Sequence, residues 1–181
     1  MKKEISQEKL RLVLSKEEIL RKVKELAEKI DKDYPEEPLI LIGTLKGAFI
    51  FLADLVRNLK NPNIQIDFIR VKSYGMSDTS SEKIEITKEI EIPLEGKNVI
   101  LVEDIVDTGL TLKYLYDYIK NFNPKSFKIC ALIDKKERRK VEVPIDYVGF
   151  EIEKGFLVGY GLDFAEKFRH LPDIKEVIKD E

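Results

Sequence analysis

V-I-L-V-E-D-I-V-D-T-G-L-T, residues 99–111, passes from four consecutive apolar residues, Val99 to Val102, through the acid pair Glu103-Asp104 to Gly109, and then enters the helical apolar spacing of Leu110 to Phe122. A short run that is apolar on every residue fits a strand covered on both faces, whereas apolar residues three and four apart form one side of a helix. The stretch therefore reads as strand, loop and helix start, the unit from which an α/β domain is assembled.

Outward from it the same alternation recurs. Leu39 to Ile42 is a second fully apolar run, which Gly43 is expected to end; Phe127 to Ile133 reads as a third buried strand and Tyr147 to Phe150 as a fourth. Ser15 with Glu18 three residues on forms a capping box, so a helix is expected to start there, with Ile19, Leu20, Val23, Leu26, Ala27 and Ile30 on its apolar face. Ala48 to Leu59 reads as a further helix. Ile64 to Val71 reads as a strand with Ile64, Ile66 and Phe68 on its apolar face, and Ser73 to Lys83 as a long polar loop. Ile84 to Ile92 alternates apolar and charged residues, as a half-exposed hairpin strand does. Strand and helix in this order predict one α/β domain with a mostly parallel twisted sheet flanked by helices and right-handed crossovers. A ligand site is then expected beyond the carboxyl ends of the strands.

The bulk properties narrow the classes of function. The chain has 181 residues, 32 Lys and Arg against 34 Asp and Glu, and a formal net charge of −2. That balance supplies no broad basic field, so no nucleic-acid partner is expected and phosphate recognition must be local. Cys130 is the single cysteine, which removes an intramolecular disulfide and a multi-cysteine zinc site and fits a reducing cytoplasm. No run of apolar residues is long enough to span a bilayer, so no membrane partner is expected.

The strand-to-helix turn has a chemistry of its own. A helix start offers free N–H groups and a positive dipole end to an anion, Gly109 allows close backbone approach, and Thr108 and Thr111 add hydroxyls. Three carboxylates beside a phosphate cradle are reconciled by a ligand with a phosphate at one end and a diol or divalent cation at the other. These residues resemble the phosphoribosyl pyrophosphate motif of the phosphoribosyltransferases. The resemblance implies that Glu103 and Asp104 hold the ribose hydroxyls with Mg²⁺ nearby, that Asp107, Thr108, Gly109, Leu110 and Thr111 wrap the 5-phosphate, and that Asp107 also faces the base as the catalytic acceptor of its proton.

Further stretches are similar to the hypoxanthine-guanine branch of that family. Gly43-Thr44-Leu45-Lys46-Gly47 resembles its pyrophosphate loop, which assigns Leu45, Lys46 and Gly47 to pyrophosphate; the Leu45–Lys46 peptide of such loops can be cis. Ser73-Tyr74-Gly75 resembles the start of a mobile lid spanning about 73–83. Leu132-Ile133-Asp134-Lys135 places Lys135 at the purine 6-oxo group, although by itself Lys135 also reads as the start of the charged turn to Lys140. Gly155 to Asp163 resembles the purine pocket, with Phe156 stacking on the base, Leu157 offering backbone groups and Asp163 near the purine 2-position or a second Mg²⁺. Arg169 falls near pyrophosphate. The resemblance covers about Leu39 to Arg169 and implies the type I phosphoribosyltransferase fold, with a core of about 35–150 and a small hood from about 1–14 and 151–181.

What it implies for activity is transfer of the phosphoribosyl group to N9 of hypoxanthine or guanine in a homodimeric or homotetrameric enzyme. Two departures stand out: Leu110 brings only a backbone N–H where some relatives carry a cation, and Glu82-Lys83 stands where small lid residues are expected. A regulator that binds phosphoribosyl pyrophosphate without catalysis, and a transferase preferring xanthine or a pyrimidine, are the alternatives. His170 and Cys130 are read as a surface and a core residue without a role.

Overall fold

The computed structural model describes residues 9–74 and 83–178. Its central sheet takes β2 (Leu39–Leu45), β3 (Ile64–Tyr74), β4 (Lys83–Lys88), β5 (Asn98–Val106), β6 (Ser126–Lys135) and β7 (Tyr147–Ile152) in the order β4-β3-β2-β5-β6-β7. All neighbours are parallel except the β3/β4 hairpin at one edge. The helices α1 (Lys16–Asp33), α2 (Phe49–Asn58) and α3 (Leu110–Lys120) cover it. Alternation along the strands decides which helix meets which residue. Leu39, Leu41, Ile100, Val102, Cys130 and Leu132 pack with α1 and α2, whereas Ile40, Ile42, Val99, Leu101, Ile129 and Ala131 pack with α3. A strand covered on both faces must be apolar on every residue, which is why the runs at 39–42 and 99–102 were legible.

A second sheet joins the two ends of the chain: β1 (Leu10–Leu14), β8 (Leu157–Val158) and β9 (Ile174–Val177) pair antiparallel in the order β1-β9-β8. Tyr160 Oη, just after β8, donates to the Asp54 carboxylate on α2 and ties this sheet to the core. Among the described residues, no helix is long and apolar enough to cross a membrane.

Several expected boundaries move. α1 starts at the capping box as read, with Ser15 Oγ accepting from the Glu18 N–H, but Leu20 is 39% exposed because it falls at the flank of the stripe that buries Ile19 and Val23. Gly43 does not end β2, which runs on to Leu45, and β5 continues past Val102 through the acids to Val106. Both extensions follow from pairing: Leu45 lies opposite Arg70, and Val106 opposite Asp134. On β3 the buried residues are Asp67 and Ile69, while Ile66 is 43% exposed. The polar loop is shorter than expected as well, since Ser73 and Tyr74 end β3 and pair with Ile84 and Lys83 of β4. The rest of the expected lid, 75–82, lies outside the described residues. β4 stops at Lys88, and Ile90 and Ile92 follow it outside any strand.

Asp67 explains how that stretch is held. Its buried carboxylate accepts from the backbone N–H groups of Glu91 (2.7 Å), Ile92 (2.9 Å) and Phe68 (2.7 Å), with the Lys88 ammonium at 3.5 Å. Burial opposes its ionisation, but the N–H groups of Ile92, Phe68 and Glu91 and the Lys88 charge outweigh it and hold the carboxyl below its ordinary range. Asp67→Asn is therefore expected to cost about 1–3 kcal/mol at neutral pH, or roughly 2–12 °C in Tm. A lowered folded pKa stabilises above the unfolded carboxyl value of about 3.9 and the contribution is lost as pH falls through the folded value. The Tm difference between Asp67→Asn and the unaltered protein should accordingly close only in acid; a difference independent of pH would remove the charge from the account.

Candidate active site

The sheet order itself locates the site. From β2 the chain moves to β3 on one side, whereas β5 lies on the other, so the connections leave these two neighbours in opposite directions and open a crevice at their carboxyl ends. The loop after β2 and the loop after β5 face each other there. Gly47 lies so close to Asp104 that a Cβ on it would come within 1.9 Å of Oδ2. The Leu45–Lys46 peptide leading into that loop is cis.

Glu103 and Asp104 follow each other on a strand and so project to opposite faces. Glu103 is buried and accepts a 2.9 Å hydrogen bond from Thr44 Oγ1. Burial pushes both carboxyls up from their ordinary range; the neighbouring Asp104 charge adds to the rise at Glu103, while at Asp104 the Ile105 N–H and the Arg169 charge oppose it. These acids are hard oxygen donors in a desolvated setting that disfavours bare charge, which suits a cation or hydroxyl partner.

Beyond them, Asp107 to Gly109 turn into α3, whose N-cap Gly109 has φ +84° and no side chain to cap it, so first-turn N–H groups beyond that of Leu110 stay available. A Cβ at Gly109 would lie 2.1 Å from the Val141 carbonyl oxygen, so the loop is pressed against the segment after β6. A cavity of about 230 Å³ is lined by Glu103 to Gly109, Thr111 and Leu112. Leu110 donates its N–H to Thr108 Oγ1 at 3.3 Å.

A second, larger groove of about 540 Å³ lies alongside, walled by Lys135, Phe156, Gly155, Arg138 and Lys154 and reaching Arg11 and Glu176 of the small sheet. Lys135 is the last residue of β6 with a side chain only 7% exposed, buried rather than the start of a solvated turn. Its ammonium lies 3.6 Å from Asp107 and 3.4 Å from Glu137, and Arg138 reaches the other Asp107 oxygen at 3.4 Å. The Asp107–Lys135 pair thus joins the two cavities. Phe156 is 43% exposed in the groove and is held edge-on by Phe164 at 5.6 Å, while Leu157 is buried with its backbone in β8.

On the other flank Arg169 donates to the Gly161 carbonyl at 2.7 Å and pairs with Asp163 at 3.1 Å. Glu166 bridges the two cations here, 2.6 Å from Lys46 Nζ and 3.3 Å from Arg169 Nη2. Among the described residues, the buried side-chain polar atoms left without a hydrogen-bond partner are Asp107 Oδ1 and Arg169 Nε, both in this crevice. Buried orphans are rare, and polar atoms of this kind on both sides of one crevice suit ligand binding.

The fold thus gathers Lys46, Gly47, Asp104, Asp163 and Arg169 on one side and Asp107, Lys135 and Phe156 on the other. Ser73 and Tyr74 sit apart, exposed on the edge hairpin. His170 is exposed and Cys130 is buried, with its thiol pushed up by burial. Thr44, Arg139 and Glu166 went unnoticed in the sequence. Thr44 stood within a quoted motif, but Arg139 and Glu166 carry no signal beyond charge.

A family model described as the phosphoribosyl transferase domain matches residues 13–165. A hypoxanthine-guanine phosphoribosyltransferase of Aquifex aeolicus is 51% identical over 173 residues, covering 95% of this chain and 97% of that relative. One of Dictyostelium discoideum is 44% identical over 169 residues, covering 92% and 94%. Among solved structures, a hypoxanthine-guanine phosphoribosyltransferase of Bacillus anthracis superposes with a TM-score of 0.87 at 46% identity, covering 97% of this chain and all of that one. With a crevice at the strand-order reversal and matches of this extent, the chain belongs to the phosphoribosyl transferase family.

Proposed function

We propose that the protein transfers the 5-phosphoribosyl group of phosphoribosyl pyrophosphate to N9 of hypoxanthine or guanine, forming the nucleotide and pyrophosphate. The observation that carries this reading is the buried Lys135 ammonium 3.6 Å from Asp107, joining an anion loop to an aromatic-walled groove. A nucleotide has the same layout, a phosphate at one end and a flat base at the other.

In this reading the N–H groups and hydroxyls of Thr108 to Thr111 hold the 5-phosphate, and Glu103 and Asp104 accept from the ribose hydroxyls. Lys135 donates to the purine 6-oxo group, Phe156 stacks on the ring, the Leu157 backbone meets its 2-position, and Asp163 meets either that position or a second Mg²⁺. N9 attacks C1′ as the bond from C1′ to the pyrophosphate oxygen breaks; the leaving oxygen keeps the electron pair, and the proton on N7 passes to Asp107. Lys46, the Gly47 N–H and Arg169 stabilise the charge gathering on pyrophosphate. The small sheet acts as a hood carrying Phe156 and Leu157.

Among the described residues, no three His, Cys, Asp or Glu side chains are arranged to hold a metal ion by themselves. Glu103 and Asp104 nonetheless suit one Mg²⁺ and Asp163 a second, since this ion usually keeps water and takes substrate phosphate oxygens besides one or two carboxylates. When bound it neutralises charge on the phosphates and the leaving group. A cytoplasmic homodimer or homotetramer belongs to the same reading, and light scattering tests the assembly.

The deciding experiment incubates the protein with phosphoribosyl pyrophosphate, Mg²⁺ and each of hypoxanthine, guanine and xanthine, and follows nucleotide formation. IMP and GMP are the expected products. Binding of phosphoribosyl pyrophosphate with no base converted would replace transfer by regulation, and conversion of xanthine alone would reassign the base. Glu166 bridges Lys46 and Arg169, so in this reading its carboxylate competes with pyrophosphate for the two cations. Glu166→Gln is expected to tighten pyrophosphate binding by up to about fivefold, the scale of an exposed ion pair; calorimetric titration showing weaker binding would place Glu166 outside the anion site.

A further inference from the structure

The turn after β6 carries a guanidinium that no step above uses. Arg139 is charged but its side chain is only 7% exposed, and it points back under the site. Its Nε donates to the Asp107 carbonyl at 2.9 Å, and its Nη2 donates to the carbonyls of Val106 and Lys135, each at 3.2 Å. The same nitrogen pairs with the buried Asp134 carboxylate, which Lys136 also meets at 2.6 Å. Nη1 reaches Glu142 at 3.3 Å. Next to it the N–H groups of Lys140 and Val141 both donate to the Thr108 carbonyl, at 2.8 and 3.1 Å.

One planar donor therefore gathers the last carbonyls of two neighbouring parallel strands where their ladder ends. Those carbonyls belong to Val106, which ends β5, to Asp107 just beyond it, read as the proton acceptor, and to Lys135, which ends β6, read as the purine-oxo donor. An arginine fork has the five donors in fixed directions that such a junction needs, whereas a lysine ammonium meets carbonyls only as a point charge.

We propose that Arg139 is a positioning residue: it sets the spacing of Asp107 and Lys135 and, with the Lys140 and Val141 amides, holds the Asp107 to Thr111 loop in its anion-binding shape. It touches neither substrate. Its effect on turnover rests on the transferase reading, so the unaltered protein is assayed alongside: no turnover there defeats that reading, while turnover there leaves the variants to judge Arg139.

Arg139→Lys keeps the charge beside Asp134 and releases the carbonyls. Its kcat should fall by about 10²-fold, as a misplacement of about 1 Å can cause, and its affinity for ribose 5-phosphate by fivefold or more, with far-ultraviolet circular dichroism unchanged. Asp134→Asn removes the ion pair and leaves the carbonyl bonds. It should lower Tm while kcat per folded molecule stays within threefold. Arg139→Lys with unaltered kcat and ribose 5-phosphate affinity, or Asp134→Asn losing kcat as severely as Arg139→Lys, overturns the proposal. Hydrogen exchange on the unaltered protein is independent of how the variants fold. The Lys140 and Val141 amides should be protected like those inside β5 and β6, and exchange at the rate of an exposed turn overturns the brace.

Discussion

Asp107→Asn is expected to lower kcat by about 10²–10⁴-fold, the range for loss of a positioned proton acceptor. Asparagine has the shape of aspartate but cannot accept the N7 proton. Stability should change little, because Asp107 is partly exposed and Lys135 keeps Glu137 at 3.4 Å when the charge opposite it is removed. Steady-state nucleotide formation, with Tm and phosphoribosyl pyrophosphate binding measured on the same samples, separates these effects. A kcat within threefold of the unaltered protein would take Asp107 out of the chemistry. The orphaned Oδ1 would then need another explanation.

Gly47→Ala should be nearly as damaging, by a different route. Its backbone conformation is open to alanine, but the added methyl would stand 1.9 Å from Asp104 Oδ2 and 2.7 Å from Cγ, so the carboxylate or the loop must move. Asp104 is read as a ribose and Mg²⁺ ligand and Gly47 as a pyrophosphate donor, so one displacement disturbs both ends of the bond being broken. A shift of about 1 Å predicts a loss near 10²-fold in kcat/KM for phosphoribosyl pyrophosphate. The purine KM should stay within a few-fold, since Lys135 and Phe156 line a separate groove. Equal losses toward both substrates would mean that the methyl disrupts the whole crevice.

Much of this site was legible because it is local in the chain. Glu103 to Thr111 are consecutive, and their strand, turn and helix start follow from apolar spacing and one glycine. Lys46 and Lys135 are legible as candidates for the same reason, the first directly following an apolar strand and the second ending one. The polar residues that connect these pieces were not. Arg139 is one charge in the run from Lys135 to Lys140, and nothing in the sequence singles out Glu166, because a charged side chain has no periodicity that reveals its partner. The ends of β2, β3 and β5 were also misjudged. A strand continues as long as its neighbour pairs with it, and the neighbour is far away in sequence.

By itself the sequence determined the α/β class, the faces of the helices and the strand, turn and helix start at Val99 to Leu110, since burial of apolar side chains at a period of 2 or 3.6 and the φ freedom of glycine act within a few residues. Only the tertiary structure decided that Gly47 presses on Asp104, that Glu166 bridges Lys46 and Arg169, that Arg139 draws Asp107 and Lys135 together, and that both chain ends form one small sheet. Each of these depends on the order in which distant strands and loops are brought side by side. That order is set by the simultaneous burial of all the strands and helices, and no single stretch of residues records it.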